Sequence, residues 1–253
     1  MRAAGCVFAE DEAALLADAP GDLDSMVARR VAGEPLEYIL GWAEFCGLRV
    51  FIEPGVFVPR QRTALMVREA VMAAPASPVV VDLCCGSGAV GAAVAAALSD
   101  VTSHAADLDP AAVSCARRNV TGAVHQGDLY DALPPALRCR IDLLLANVPY
   151  VPTEAIASMP PEARDHEAAV ALDGGPDGLD VFRRVVVSAS DWLAPGGSVF
   201  LETSAQQVST AVETLSRAGL TARVATDDEI GATVVIGVRP TRSGPRPGRP
   251  AGS

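Results

Sequence analysis

Apolar residues recur at helical spacing between residues 10 and 32, where Leu15, Leu16, Leu23, Met26, Val27 and Val31 form a stripe broken at Pro20-Gly21. This pattern predicts a small helical element. Two apolar runs, Phe45 to Ile52 and Val56 to Val58, flank Glu53-Pro54-Gly55 and predict a β-hairpin that turns there. Helical spacing returns from Arg62 to Met72. Beyond it the period switches regularly: the β-branched run Val79–Leu83 is followed by a glycine-rich turn and an alanine-rich helix over 89–98. Further strand patterns occupy 102–107, 141–146, 197–202, 221–225 and 233–238, and helical patterns occupy 110–119, 178–193 and 206–218. Such alternation predicts βαβ units and a doubly wound, mostly parallel α/β sheet. The last two strands, joined by the short Asp227–Gly231 link, are expected to run antiparallel to each other.

These elements divide the chain into a helical element over 1–40, a hairpin linker over 41–60 and an α/β domain over 61–240. The segment 241–253 alternates arginine, proline and glycine, has nothing to bury, and is expected to be disordered.

Composition narrows the chemistry. Half of the 253 residues are hydrophobic, enough for a sizeable core. All 20 basic residues are arginine, so a Schiff-base lysine and a Walker-type phosphate lysine are excluded. The net charge of −11 comprises −5 over residues 1–60, −10 over 61–238 and +4 over 239–253. An acidic body with 4% aromatic residues argues against a nucleic-acid binder. The six cysteines, at 6, 46, 84, 85, 115 and 139, form no C-x-x-C pair, and His104, His125 and His166 are scattered. Neither a disulfide framework nor a metal site is expected. The start reaches Glu10-Asp11-Glu12 before any long apolar run, so no secretory leader is expected. Residues 70–99 carry one charge, Asp82, but prolines and glycines break the run into a strand, a turn and a helix, and a cytoplasmic protein is expected.

Three constellations carry candidate chemistry. In the first, Val81-Asp82-Leu83-Cys84-Cys85-Gly86-Ser87-Gly88 closes the first core strand, and its glycines allow a tight turn and close backbone approach to a ligand. About twenty residues on, Asp107 ends the next strand, where a carboxylate accepts both hydroxyls of a ribose. The spacing points to an adenosine-type ligand, and because Gly86-x-Gly88-x-x-Gly91 also satisfies the dinucleotide pattern, a nicotinamide cofactor stays open on this motif alone. In the second, Gly127-Asp128-Leu129 offers an acid suited to the exocyclic amine of an adenine; its alternative is a surface Asx-turn. In the third, the strand 141–146 ends in Asn147-Val148-Pro149-Tyr150. The Asn147 side-chain oxygen and the Val148 carbonyl are two acceptors and Tyr150 is a flat wall, together a receptor for an NH₂ group. The lone pair of an amide or aromatic amine is delocalised, and two fixed acceptors favour a tetrahedral nitrogen aimed at an electrophile.

Taken together these residues resemble the HemK/PrmC family of protein-(glutamine-N5) methyltransferases that modify peptide-chain release factors. The resemblance covers residues 30–238. Gly33-Glu34-Pro35-Leu36-Glu37-Tyr38-Ile39-Leu40-Gly41 is similar to the family's G-E-P-L-x-Y-x-L-G, Val58-Pro59-Arg60 with Thr63 follows the hairpin, and Asn147–Tyr150 stands for N-P-P-Y. Glu167–Leu179 is similar to E-P-x-x-A-L-x-G-G-x-D-G-L. The resemblance implies a seven-stranded α/β methyltransferase domain behind a small helical element and hairpin. It implies S-adenosylmethionine as cofactor, held by Asp82, Cys84, Gly86, Gly88, Asp107, Asp128 and Asn147. The acceptor is then a release factor, held by Asn147, Val148, Pro149 and Tyr150 with Glu167 lining its site, and the enzyme is a monomer with no metal and no membrane association.

Departures from the family pattern are specific. Cys84 replaces the first glycine of the cofactor loop, which is tolerable where the backbone needs no positive φ. Val148 replaces the first proline of N-P-P-Y and leaves a looser backbone. Arg62 and Ala64 stand where acids are usual, and Thr233 where an arginine is usual. Two rivals follow: an adenine amino-methyltransferase, which the charge of 61–238 disfavours, and a cofactor-binding partner protein without turnover. A nicotinamide dehydrogenase leaves Asn147–Tyr150 unexplained. No histidine neighbours Cys84-Cys85 in sequence, so these thiols are expected to be packing residues.

Overall fold

The computed structural model describes Arg2 and residues 8–241; the expected disorder of the tail and the thiol of Cys6 lie outside these residues. The helical stripe breaks at Pro20-Gly21 as its pattern requires, giving α1 (Ala9–Asp18) and α2 (Leu23–Val31). Asp22 caps α2 by accepting the Ser25 N–H at 3.0 Å. A short α3 (Leu36–Leu40) ends at Gly41 in the left-handed conformation.

The hairpin differs from its expected position. Its strands are β1 (Trp42–Phe45) and β2 (Leu48–Phe51), and the turn is Cys46-Gly47, both at positive φ. A two-residue loop of this kind matches the strand twist, whereas Glu53-Pro54-Gly55 forms only a local turn and Val56–Val58 pairs with no strand. Cysteine is a weak turn signal, and it concealed the reversal.

Seven strands form the main sheet in the order β5-β4-β3-β6-β7-β9-β8. They are β3 (Val79–Leu83), β4 (Thr102–Asp107), β5 (Ala123–Gln126), β6 (Ile141–Ala146), β7 (Leu193–Glu202), β8 (Thr221–Asp227) and β9 (Ala232–Val238). The pairs from β5 through β7 are parallel, and β9 runs antiparallel to both β7 and β8. The strand β5 has no counterpart in the hydropathy pattern: its four residues, Ala123-Val124-His125-Gln126, sit at the sheet edge and none is buried.

Helices cover both faces. On one, α8 (Asp180–Trp192) and α9 (Val208–Arg217) press Phe182, Val185, Val186, Ala211 and Leu215 onto Leu144, Val199, Leu201 and Val235. On the other, α4 (Ala64–Ala73) and α5 (Ala89–Ala97) pack on Val80, Leu143, Leu145 and Ile236, and the hairpin adds Phe45, Val50 and Ile52 to the same cluster. The helix α6 (Pro110–Asn119), capped by Asp109, packs beside β4 and β5. The near-charge-free run 70–99 becomes the end of α4, then β3 and α5, and no described helix is long and apolar enough to cross a membrane.

Candidate active site

Strand order places the site. From β3 the chain steps outward through β4 to β5, then crosses back to β6 on the other side of β3, so the winding direction reverses between β3 and β6. Loops leaving the carboxyl ends there diverge and leave a crevice. Register keeps the ends level: Leu83 pairs with both Ala106 and Ala146, and Asp107 with Gln126. The next residues, Cys84, Asp107–Asp109, Gly127-Asp128 and Asn147–Tyr150, therefore leave the sheet beside one another. One cavity is lined by all of Asp82, Cys84, Gly86, Asp107, Asp128 and Asn147 through Tyr150. Of the expected residues, Gly88 stands just behind, as the N-cap of α5 at φ +78°. A Cβ on it would lie 2.6 Å from Val120 Cγ2, so this glycine serves packing against α6.

The glycine turn is held by carboxylates. Asp107 Oδ2 accepts the Gly86 N–H at 2.8 Å and its Oδ1 accepts the Asp109 N–H at 2.9 Å. Burial raises its carboxyl above the usual range. Asp82, 1% exposed, accepts the Gly91 N–H at 2.8 Å, and burial pushes its carboxyl up to about 7. Cys84 has φ +52°, so the condition under which a side chain is tolerable at this position, a backbone without positive φ, is not met. The turn is left-handed here, where a side chain costs about 1 kcal/mol relative to glycine. Burial beside Asp107 and Asp82 raises the Cys84 and Cys85 thiols well above their ordinary range, so neither is a thiolate at neutral pH.

Asp128 does not stand alone: its Oδ2 accepts from Arg184 Nη2 of α8 at 2.6 Å, and both residues line the cavity. Asn147 is half-buried at the lip, and its side chain makes no hydrogen bond among the described residues. It faces the cavity that holds Gly86, with the carboxamide open to a ligand.

Tyr150 is more than a wall. Its hydroxyl accepts from Arg62 Nε at 3.0 Å and Nη2 at 2.6 Å, and donates to Glu202 Oε1 at 2.9 Å. Its carbonyl accepts from Gln207 Nε2 at 3.0 Å. Gly178 passes so close that a Cβ there would come within 2.2 Å of that carbonyl, at φ +74°, which explains the glycine of the Gly174–Leu179 motif. Glu167, expected to line the acceptor site, lies behind the cavity wall instead. Its carboxylate accepts both contacts of Arg60 Nη2 at 2.8 Å and the Val58 N–H at 3.1 Å, and it is buried.

Sequence reading missed Arg62, Arg184, Glu202 and Gln207 as site residues. Arg62 and Glu202 lie at element ends, Arg184 lies within α8 beside Arg183, and Gln207 closes a capping box with Ser204, so none carried a motif that points to a ligand. The only available signal was Glu202, an acid closing an apolar strand pattern at the same sheet edge as Asp107 and Asn147. The structure also joins two of the scattered histidines: His104 Nδ1 and His125 Nε2 lie 3.0 Å apart across β4 and β5, away from the cavity lining. No group of three or more His, Cys, Asp or Glu side chains suited to a metal occurs among the described residues.

A doubly wound sheet with this crevice and an open asparagine at its lip fits a methyltransferase domain, and the methyltransferase small domain family matches residues 47–228, which assigns that class. A methyltransferase from Pyrococcus furiosus has the same fold, with a TM-score of 0.59, 16% identity, and coverage of 86% of this chain and 99% of that one. The chain is 38% identical over 219 residues to the release factor glutamine methyltransferase of Geobacter sulfurreducens, covering 85% of this chain and 76% of the relative. It is 36% identical over 212 residues to the 4-amino-L-phenylalanine/4-methylamino-L-phenylalanine methyltransferase of Streptomyces pristinaespiralis, covering 75% and 72%. The chain belongs to the family of release factor glutamine methyltransferases.

Proposed function

We propose that the protein transfers the methyl group of S-adenosylmethionine to the side-chain amide nitrogen, N5, of a glutamine in a peptide-chain release factor. The observation that carries this reading is the unpartnered Asn147 carboxamide at the lip of the cavity that also holds Gly86 and Asp107. The donor set suits the cofactor. Asp107 retains lone pairs for ribose hydroxyls beyond its two backbone contacts, Asp128 lines the same cavity, and Leu129 and Val148 give apolar walls for a purine.

When bound, S-adenosylmethionine supplies an electrophilic methyl carbon on a sulfonium. Asn147 Oδ1 and the Val148 carbonyl accept the two amide protons of the glutamine and turn its nitrogen lone pair toward the cofactor side. Tyr150 packs against the amide, and Pro149 limits the backbone between them. Asp107 and the ionised fraction of Asp82, both bonded to the glycine turn, would offset the positive charge that the cofactor brings. Alignment and electrostatics then supply the barrier lowering, with no covalent enzyme intermediate. A release factor is met in the cytoplasm, the compartment this reading requires.

The test is incubation of the full chain with methyl-labelled S-adenosylmethionine and a release factor, followed by mass mapping. Label on a glutamine amide supports the reading. The relative that acts on an aromatic amine gives a second arm, because the same pair of acceptors suits an aniline NH₂. Label on free 4-amino-L-phenylalanine and none on the release factor, or label on RNA, replaces it.

A further inference from the structure

Arg62 stands at an acceptor edge whose backbone has lost one constraint. Val148 lacks the ring that fixes φ in a proline, so the segment bearing Asn147 and the Val148 carbonyl is held by fewer covalent restraints. The structure supplies restraint from outside the segment. The Arg62 guanidinium, the Tyr150 hydroxyl and Glu202 Oε1 close a triangle, with Arg62 Nε also reaching Glu202 Oε1 at 3.0 Å. Glu202 is 2% exposed, and Arg62 is the cation paired with it among the described residues. Its other oxygen, Oε2, is buried without a partner among the described residues, where the carboxylate depends on Oε1 contacts. Arg62 lies on the 3-10 turn before α4, Tyr150 beyond β6 and Glu202 at the end of β7, so three elements meet at one phenol oxygen. The Tyr150 carbonyl is held separately by Gln207, which also donates to the Asp177 carbonyl at 2.9 Å. Tyr150 is thereby fixed at both ends.

We propose that Arg62 is a positioning residue: through the Tyr150 hydroxyl and Glu202 it fixes the Asn147–Tyr150 segment and substitutes for the rigidity that Val148 removes. The consequence for the reaction rests on the glutamine-methyltransferase reading above. Arg62 acts through Tyr150 and does not itself contact the reacting nitrogen. A lysine in its place keeps the charge opposite Glu202 but cannot present two N–H groups to one phenol oxygen.

Two measurements test this on the full chain: hydrogen exchange of the amides of residues 147, 148, 150 and 151, and single-turnover methyl transfer. Tyr150→Phe keeps the ring and the Arg62–Glu202 pair while removing the shared hydroxyl. It is expected to speed exchange in that segment about tenfold and to slow transfer about 10- to 100-fold, with S-adenosylhomocysteine affinity within about twofold of wild type. Arg62→Lys is expected to keep the wild-type melting temperature and still lose transfer. Where Arg62→Ala folds, combining it with Tyr150→Phe is expected to be no worse than the poorer single variant, because both break one unit. Wild-type exchange in Tyr150→Phe, wild-type transfer in Arg62→Lys, or additive losses in the double variant overturn the proposal. If the wild-type chain methylates no release factor, the reading of the substrate falls, and exchange alone then decides the clamp: faster exchange in Tyr150→Phe upholds it and unchanged exchange overturns it.

Discussion

The two halves of the cavity are built by different means. On the β3–β5 side, the glycine turn is held mainly by strand-end groups on nearby backbone: Asp107 accepts the Gly86 N–H, Asp82 accepts the Gly91 N–H of α5, and the Gly127 N–H donates to the Asp107 carbonyl at 3.0 Å. Asp128 with Arg184 adds one distant side-chain pair there. On the β6–β7 side, side chains far apart in sequence do the holding: Arg62 with Tyr150 and Glu202, Arg60 with Glu167, and Gln207 with Tyr150 and Asp177. A half in which carboxylates hold backbone N–H groups tolerates little variation in its turn. A half built from paired side chains changes character whenever one partner is exchanged.

The largest expected effect separates the halves. Asn147→Ala is expected to lower methyl transfer about 1,000-fold, on the order of 4 kcal/mol, while S-adenosylhomocysteine binding by calorimetry stays within a few-fold. Equal loss of both would assign Asn147 to the cofactor half.

Next comes a pH effect on the β3 side. Burial holds the Asp82 carboxyl near 7, above its ordinary 3.8. A group raised in this way contributes stability that is complete below about pH 4 and is lost as pH rises through about 7. Asp82→Asn is therefore expected to be more stable than wild type at pH 8, by about 2–4 kcal/mol, and to approach it at pH 4; thermal melts across that range check the sign. S-adenosylmethionine, with a positive sulfur, is expected to bind wild type more tightly as pH rises from 6 to 8, and a flat profile would remove Asp82 from cofactor recognition.

Asp107→Asn is expected to weaken cofactor binding by about 10- to 30-fold, from hydrogen bonds to a charged acceptor worth about 1.5–3 kcal/mol, without changing KM for the acceptor. A change confined to the acceptor KM would break the division between the halves. The smallest effect is at Cys84. Replacement by glycine relieves the left-handed strain, worth about 1 kcal/mol, but increases the freedom of the unfolded chain, so the melting temperature is expected to move by only a few degrees.

This division also governs what could be read from the sequence. Val79–Leu83, the glycine turn and the acids at 107 and 128 were legible because strand-end position and local spacing determine them. Asn147–Tyr150 was legible because it follows an apolar run. Two features were hidden by weak local signals: the hairpin turn at Cys46-Gly47, where cysteine takes a conformation usual for asparagine or glycine, and the half-exposed edge strand β5. The partners of Tyr150 were hidden for a different reason. Arg62 and Glu202 are 140 residues apart, and only the packing of α4 against β7 brings them together. Glu167 was assigned to the acceptor wall from its place in a motif, and burial next to Arg60 put it one layer deeper.

One bridge remains with practical weight. The Asn119 side chain accepts the Phe51 N–H at 2.8 Å and donates to the Phe51 carbonyl at 2.9 Å and the Ser87 carbonyl at 2.8 Å. A single carboxamide thus staples β2 to the loop that opens α5. A fragment starting at residue 61 is therefore expected to be less stable than the full chain. Such a fragment would leave that staple hanging and strip Phe45 and Ile52 from a shared interior, so an engineered graft is better made with the hairpin attached.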